Sequence, residues 1–113
     1  MTVAVVSRDL IIATRIVDAG ARAGVDVRRF DDPSQLPPAG DIRLLLVAWD
    51  ERRPDWGERL VAWCAAAPQS ATPRLVIFGP HADLEAHAAA RAAGLGPMWA
   101  RSKFLAELRN LIA

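Results

Sequence analysis

Asp50 ends the apolar run Leu44-Leu45-Leu46-Val47-Ala48-Trp49 and stands four residues before Pro54. A carboxylate there sits at the carboxyl end of a buried strand, where open α/β sheets hold their ligands. The bland alternative is a solvated aspartate at a strand end. Other candidates for chemistry are weaker. His81 and His87 are six residues apart, off the i, i+4 spacing of a helical metal pair, and no Cys or third His joins them. Cys64 falls in the apolar phase of a predicted helix, and nothing nearby supplies the His that a nucleophilic thiol needs. The only Gly-x-Gly, Gly94-Leu95-Gly96, precedes the last predicted strand, so it is no dinucleotide fingerprint. Arg28-Arg29 and Arg52-Arg53 read as solvated pairs. Trp49, Trp56 and Trp63 read mainly as core. Trp56, beside Pro54, and Trp99 are the candidates for anchoring a partner, since aromatics are enriched at binding hot spots.

These residues need a scaffold, and the composition allows one. The 113 residues are 52% hydrophobic and 24% charged, enough to bury a core within one domain, 1–113. The formal net charge of +1 gives no global pull toward nucleic acid or anionic membrane. No apolar run approaches a membrane span, and no export signal opens the chain. One cysteine excludes an internal disulfide and suits a reducing cytosol, so a cytoplasmic location is expected. A bias toward Ala, Arg and Pro suggests a GC-rich bacterial genome.

The elements follow from periodicity and breakers. Thr2–Val6 reads as a buried parallel strand. Ser7 is expected to cap a helix over 8–23 whose apolar face carries Leu10, Ile11, Ala13, Ile16, Val17 and Ala21, with Gly24 closing it. Residues 25–30 alternate as an edge strand does. Pro33, Pro37 and Pro38 leave room for about one helical turn over 31–40. The spacing then predicts a central strand over 42–49, a helix over 57–67, a strand over 75–78 and a helix from the Asp83 cap to Ala93. A last strand over 97–100 and a helix capped by Ser102 complete the chain. Strands alternating with helices in this way predict a doubly wound, flavodoxin-like five-stranded parallel sheet of order 2-1-3-4-5, with about five helices, the second shortened.

In order and spacing this pattern resembles the response-regulator receiver domain over essentially the whole chain. The resemblance rests on Asp50-Glu51-Arg52-Arg53-Pro54 for the family's Asp-x-x-x-Pro, Asp55-Trp56-Gly57 for the turn after it, and Ala92-Ala93-Gly94 before strand five. It implies a phosphoacceptor at Asp50. It also implies a degenerate pocket: the family's acidic pair becomes Ser7 and Arg8 with only Asp9 nearby, its hydroxyl residue becomes Gly79, and its Lys becomes Arg101. Mg²⁺ demands hard oxygen ligands, and phosphoryl transfer needs a cation to neutralise developing charge. Arg8 is expected within reach of Asp50, pairing with it in place of the metal.

The resulting expectation is a pseudo-receiver: a stand-alone protein-interaction module in bacterial signalling, not an enzyme, without cofactor or metal. Its partner is expected to be another protein or itself, the resemblance implying a homodimer through the fourth and fifth helices. No nucleic-acid or membrane partner is expected. Two alternatives stand beside it. Asp50 is still phosphorylated with help from Asp9, Arg8 and Arg101, or Ser7, Arg8 and Arg101 hold a small anion in the crevice beyond strands 1 and 3.

Overall fold

The structure, a computed structural model, describes residues 2–113. Five strands, β1 (Thr2–Val6), β2 (Val27–Phe30), β3 (Ile42–Ala48), β4 (Arg74–Gly79) and β5 (Trp99–Ala100), pair in parallel in the order β2-β1-β3-β4-β5. Four α-helices connect them: α1 (Leu10–Arg22), α2 (Trp56–Ala65), α3 (Leu84–Ala92) and α4 (Arg101–Ile112). This is the expected doubly wound sheet.

Side chains alternate across the pleat, so each central strand feeds two cores. Val3, Val5, Leu44, Leu46, Val76 and Phe78 face α1 and α4, where Phe78 stacks on Phe104 at 4.0 Å between ring centroids. Ala4, Val6, Leu45, Val47 and Ile77 face α2 and α3, against Trp49, Trp56, Leu60, Ala86 and Ala90. Apolar after Arg43, β3 is buried on both faces and ends at Ala48, and the buried Trp49 that follows delivers Asp50 to the carboxyl edge of the sheet.

Three local expectations need correction. The cap of α1 is Asp9, whose side chain accepts from the Ile11 and Ile12 amides, and Ser7 is drawn into another contact. The buried face of α1 is Ile12, Ala13, Ile16 and Gly20, while Leu10, Ile11 and Val17 lie exposed. In the unbroken run Leu10-Ile11-Ile12-Ala13, periodicity alone does not decide which isoleucine turns inward. Helix α4 starts one residue before Ser102, with Ala100 at its cap and no side-chain cap bond.

No α-helix forms between β2 and β3. Two single 3₁₀ turns, Pro33–Gln35 and Ala39–Asp41, take its place, so the helix count is four, not about five. The prolines forbid a longer helix. Two tryptophans of α2 hold the segment down instead: Trp56 Nε1 donates to Asp32 Oδ2 (3.1 Å) and Trp63 Nε1 to the Pro37 carbonyl (2.8 Å). Gly24 and Gly94 follow their helices at φ of 70° and 75°, the left-handed conformation that glycine reaches without a Cβ clash.

Candidate functional site

A short 3₁₀ turn, Trp49–Glu51, follows β3 and aims two adjacent carboxylates in different directions. Trp49 is buried and its Nε1 donates to the Ala86 carbonyl of α3 (3.0 Å), which fixes the turn. Arg52 braces it from outside, donating to the Trp49 carbonyl (3.2 Å) with its guanidinium 5.5 Å from the Trp49 ring centroid.

Asp50 points toward β4 and β5. Its Oδ2 accepts from Arg101 Nη2 at 3.0 Å, with the Asp50 side chain 25% exposed and that of Arg101 41%. A Cβ on Gly79 would lie 3.6 Å from the Asp50 Cβ, so Gly79 does border the acceptor-like carboxylate. That same Cβ would lie 2.8 Å from Met98 Sδ. Met98 is buried, and the end of its side chain would have to shift to admit a hydroxyl-bearing residue at position 79.

Glu51 points the other way, across the gap between the ends of β3 and β1. Its Oε2 accepts from Ser7 Oγ at 2.5 Å and its Oε1 from the Arg8 amide at 2.7 Å. Ser7 is fully buried, and its Oγ also accepts from the Asp9 amide at 3.1 Å. Arg29, near the end of β2, donates to the Ser7 carbonyl (3.1 Å) while ion-paired to Asp31. One clasp therefore ties the carboxyl ends of β1, β2 and β3 together across the crevice. Glu51 carries it. Sequence reasoning passed over Glu51 because it lay inside the Asp-x-x-x-Pro pattern as a spacer.

The predicted site residues thus divide. Asp50, Gly79 and Arg101 come together. Ser7 is near but spent on Glu51. Asp9 is spent on the α1 cap. Arg8 is exposed, and its guanidinium makes no salt bridge or hydrogen bond among the described residues, so the expected Arg8–Asp50 pair is replaced by Arg101–Asp50. Trp56 is 1% exposed and serves the core, which removes it as a partner anchor. Trp99 is half-buried, with Lys103 Nζ 4.7 Å from its ring centroid.

A cleft of about 560 Å³ opens beside Asp50, between the start of α2 and α3. Asp83 and Glu85 add negative charge to it, and Arg52 and Arg53 positive. No group of three His, Cys, Asp or Glu side chains converges to hold a metal among the described residues. The His87 ring instead meets the His81 carbonyl, with Nε2 at 3.0 Å.

A five-stranded parallel sheet of order 2-1-3-4-5 with helices on both faces is the flavodoxin-like fold, here with an aspartate just beyond the end of its central strand. A solved response regulator receiver protein from Burkholderia phymatum superposes with a TM-score of 0.68, covering 98% of this chain and 94% of that one at 13% identity. At that identity the likeness is one of fold. No family model and no curated protein matches the sequence.

Proposed function

We propose that the protein is a receiver-like protein-interaction module of bacterial signalling that works without phosphorylation of Asp50. The observation that carries this reading is the Glu51 clasp. Glu51, the carboxylate next to Asp50, turns away from it and spends both oxygens on the Ser7 hydroxyl and the Arg8 amide, so it is not free to share a cation with Asp50. Asp9 is committed to the α1 cap, and Asp50 is already paired with a fixed guanidinium. A side chain at Gly79 requires the end of the Met98 side chain to shift. With the neighbouring carboxylates committed to the clasp and the cap, the reading turns to the surface, offered to another protein or to a second copy through α3 and α4.

The test is an amide NMR titration with Mg²⁺ and then beryllium fluoride, a phosphoryl mimic. Unchanged resonances at Asp50, Gly79 and Arg101 are expected. Saturable shifts there would overturn the reading. They would favour the second one, phosphorylation of Asp50, whose specific support is Arg101 at 3.0 Å, placed to meet phosphoryl oxygens. In that case Asp50→Asn would abolish the response. A small anion held by Ser7, Arg8 and Arg101 has less support, because Glu51 already takes the Ser7 hydroxyl and Asp50 the Arg101 guanidinium.

A further inference from the structure

We infer that the seam between α1 and α4 is a docking surface for a carboxylate-rich segment of a partner protein, held by Arg15, Arg22 and Arg109. This rests on the docking-module reading and names the chemistry of the partner.

Two adjoining grooves of about 270 and 280 Å³ run along the seam and share Ala19, Arg22 and Arg109. Arg15 lines one of them, over a partly apolar floor that includes Leu105 and Leu108. All three arginines are exposed. None is in a salt bridge or donates a side-chain hydrogen bond among the described residues, a state they share with Arg8, Arg28, Arg53, Arg74 and Arg91, which line neither groove. Asp18 is the one carboxylate lining the grooves. It sits at i, i+4 to Arg22, yet the two are not paired. The seam therefore carries a net charge of +2 (three arginines against Asp18) with no internal partner for it.

Spacing selects the kind of anion. Arg15 and Arg22 are seven residues apart on one helix, about 10 Å along its axis. Guanidinia so spread match charges repeated along a chain better than a single phosphate. Residues three apart in an extended peptide span about the same distance. The apolar floor and the Asp18 carboxylate disfavour a nucleic-acid backbone, for which neighbouring aromatics or more cations would be expected. Arginine clusters are a recurrent means of reading acidic segments. Helix α1 runs back from the carboxyl edge of the sheet, so Arg22 and Arg109, both in last turns, lie at the opposite pole from Asp50.

The experiment is an NMR titration of the whole protein with hexaglutamate, with hexalysine and a 12-base-pair DNA duplex as comparisons. Hexaglutamate is expected to shift the arginine Nε–H signals of Arg15, Arg22 and Arg109 and the amides of Ala19 and Leu105. Arg22→Ala with Arg109→Ala is expected to weaken binding at least about tenfold, and Asp18→Asn to tighten it a few-fold. The three positions are exposed, so unchanged spectra elsewhere show that the variants still fold. Three results would overturn the inference: no shifts at millimolar hexaglutamate, shifts spread equally over Arg28, Arg52, Arg53 and Arg91, or DNA moving the seam signals when hexaglutamate does not. The beryllium fluoride titration reads the other pole, so failure here leaves the reading of Asp50 separately decided.

Discussion

Glu51 and Ser7 form the contact whose energetics are most open to measurement. Ser7 is fully buried, so losing its acceptor leaves a desolvated hydroxyl, which costs about 1–3 kcal/mol. Glu51 is only partly buried and regains water when Ser7 is removed. Urea unfolding should therefore show Glu51→Ala costing about 1–3 kcal/mol, Ser7→Ala less, and the double variant clearly less than the sum. Additive losses would mean that the clasp does not exist in solution. Asp32 makes a second residue-scale case. The Ser34 amide is the main cause that holds its carboxyl below the usual range, with the Trp56 indole contributing. A depressed folded pKa means stability that is fully present above the unfolded value and is lost as pH falls through the folded one. Wild type should lose stability below about pH 4, and Asp32→Asn should flatten that acid limb. The tryptophan fluorescence unfolding transition, followed from pH 6 to pH 2, measures both. Neither pairing could be read from the sequence, since each joins residues more than twenty positions apart.

At the scale of elements, most of the architecture was readable. Apolar β-branched runs cut by Gly and Pro gave the five strands and their order, because right-handed crossovers leave few other choices. What failed was phase and capping. Ser7 and Asp9 are both capping types two residues apart, and only the long-range demand of Glu51 decides between them. Close approaches were equally hidden. Gly20 lets α1 lie against β2, where a Cβ would meet Val27 Cγ2 at 2.3 Å, and Gly57 lets α2 approach Ala93, at 2.9 Å. Gly79 belongs with them. Restoring a hydroxyl there by Gly79→Thr pushes into Met98, and such overpacking costs about 1–3 kcal/mol. The thermal midpoint of Gly79→Thr should fall by several degrees, with Met98→Ala in the same chain relieving part of the strain. A midpoint at the wild-type value would show that Met98 yields freely and that the hydroxyl position is open.

Taken whole, the molecule separates its two charged regions. The Asp50–Arg101 pair and the Glu51 clasp lie at the carboxyl ends of the strands, and the arginine seam reaches toward the amino ends. The Cα radius of gyration is 13.0 Å, the value expected of one packed body of this length, about 13 Å. Dilute small-angle scattering should return about 13–15 Å, and a marked rise with concentration would put a second copy against α3 and α4. The sheet also ends abruptly. Its outer strands are β2, with four residues, and β5, with only Trp99 and Ala100. An open strand edge is a template onto which a foreign strand can zip, and short edges blunt it. Two residues offer almost no template, and the arginines of β2 discourage one on the other side. The edges of a sheet in a chain that is half hydrophobic by composition therefore give it little means of growing ribbons or fibrils.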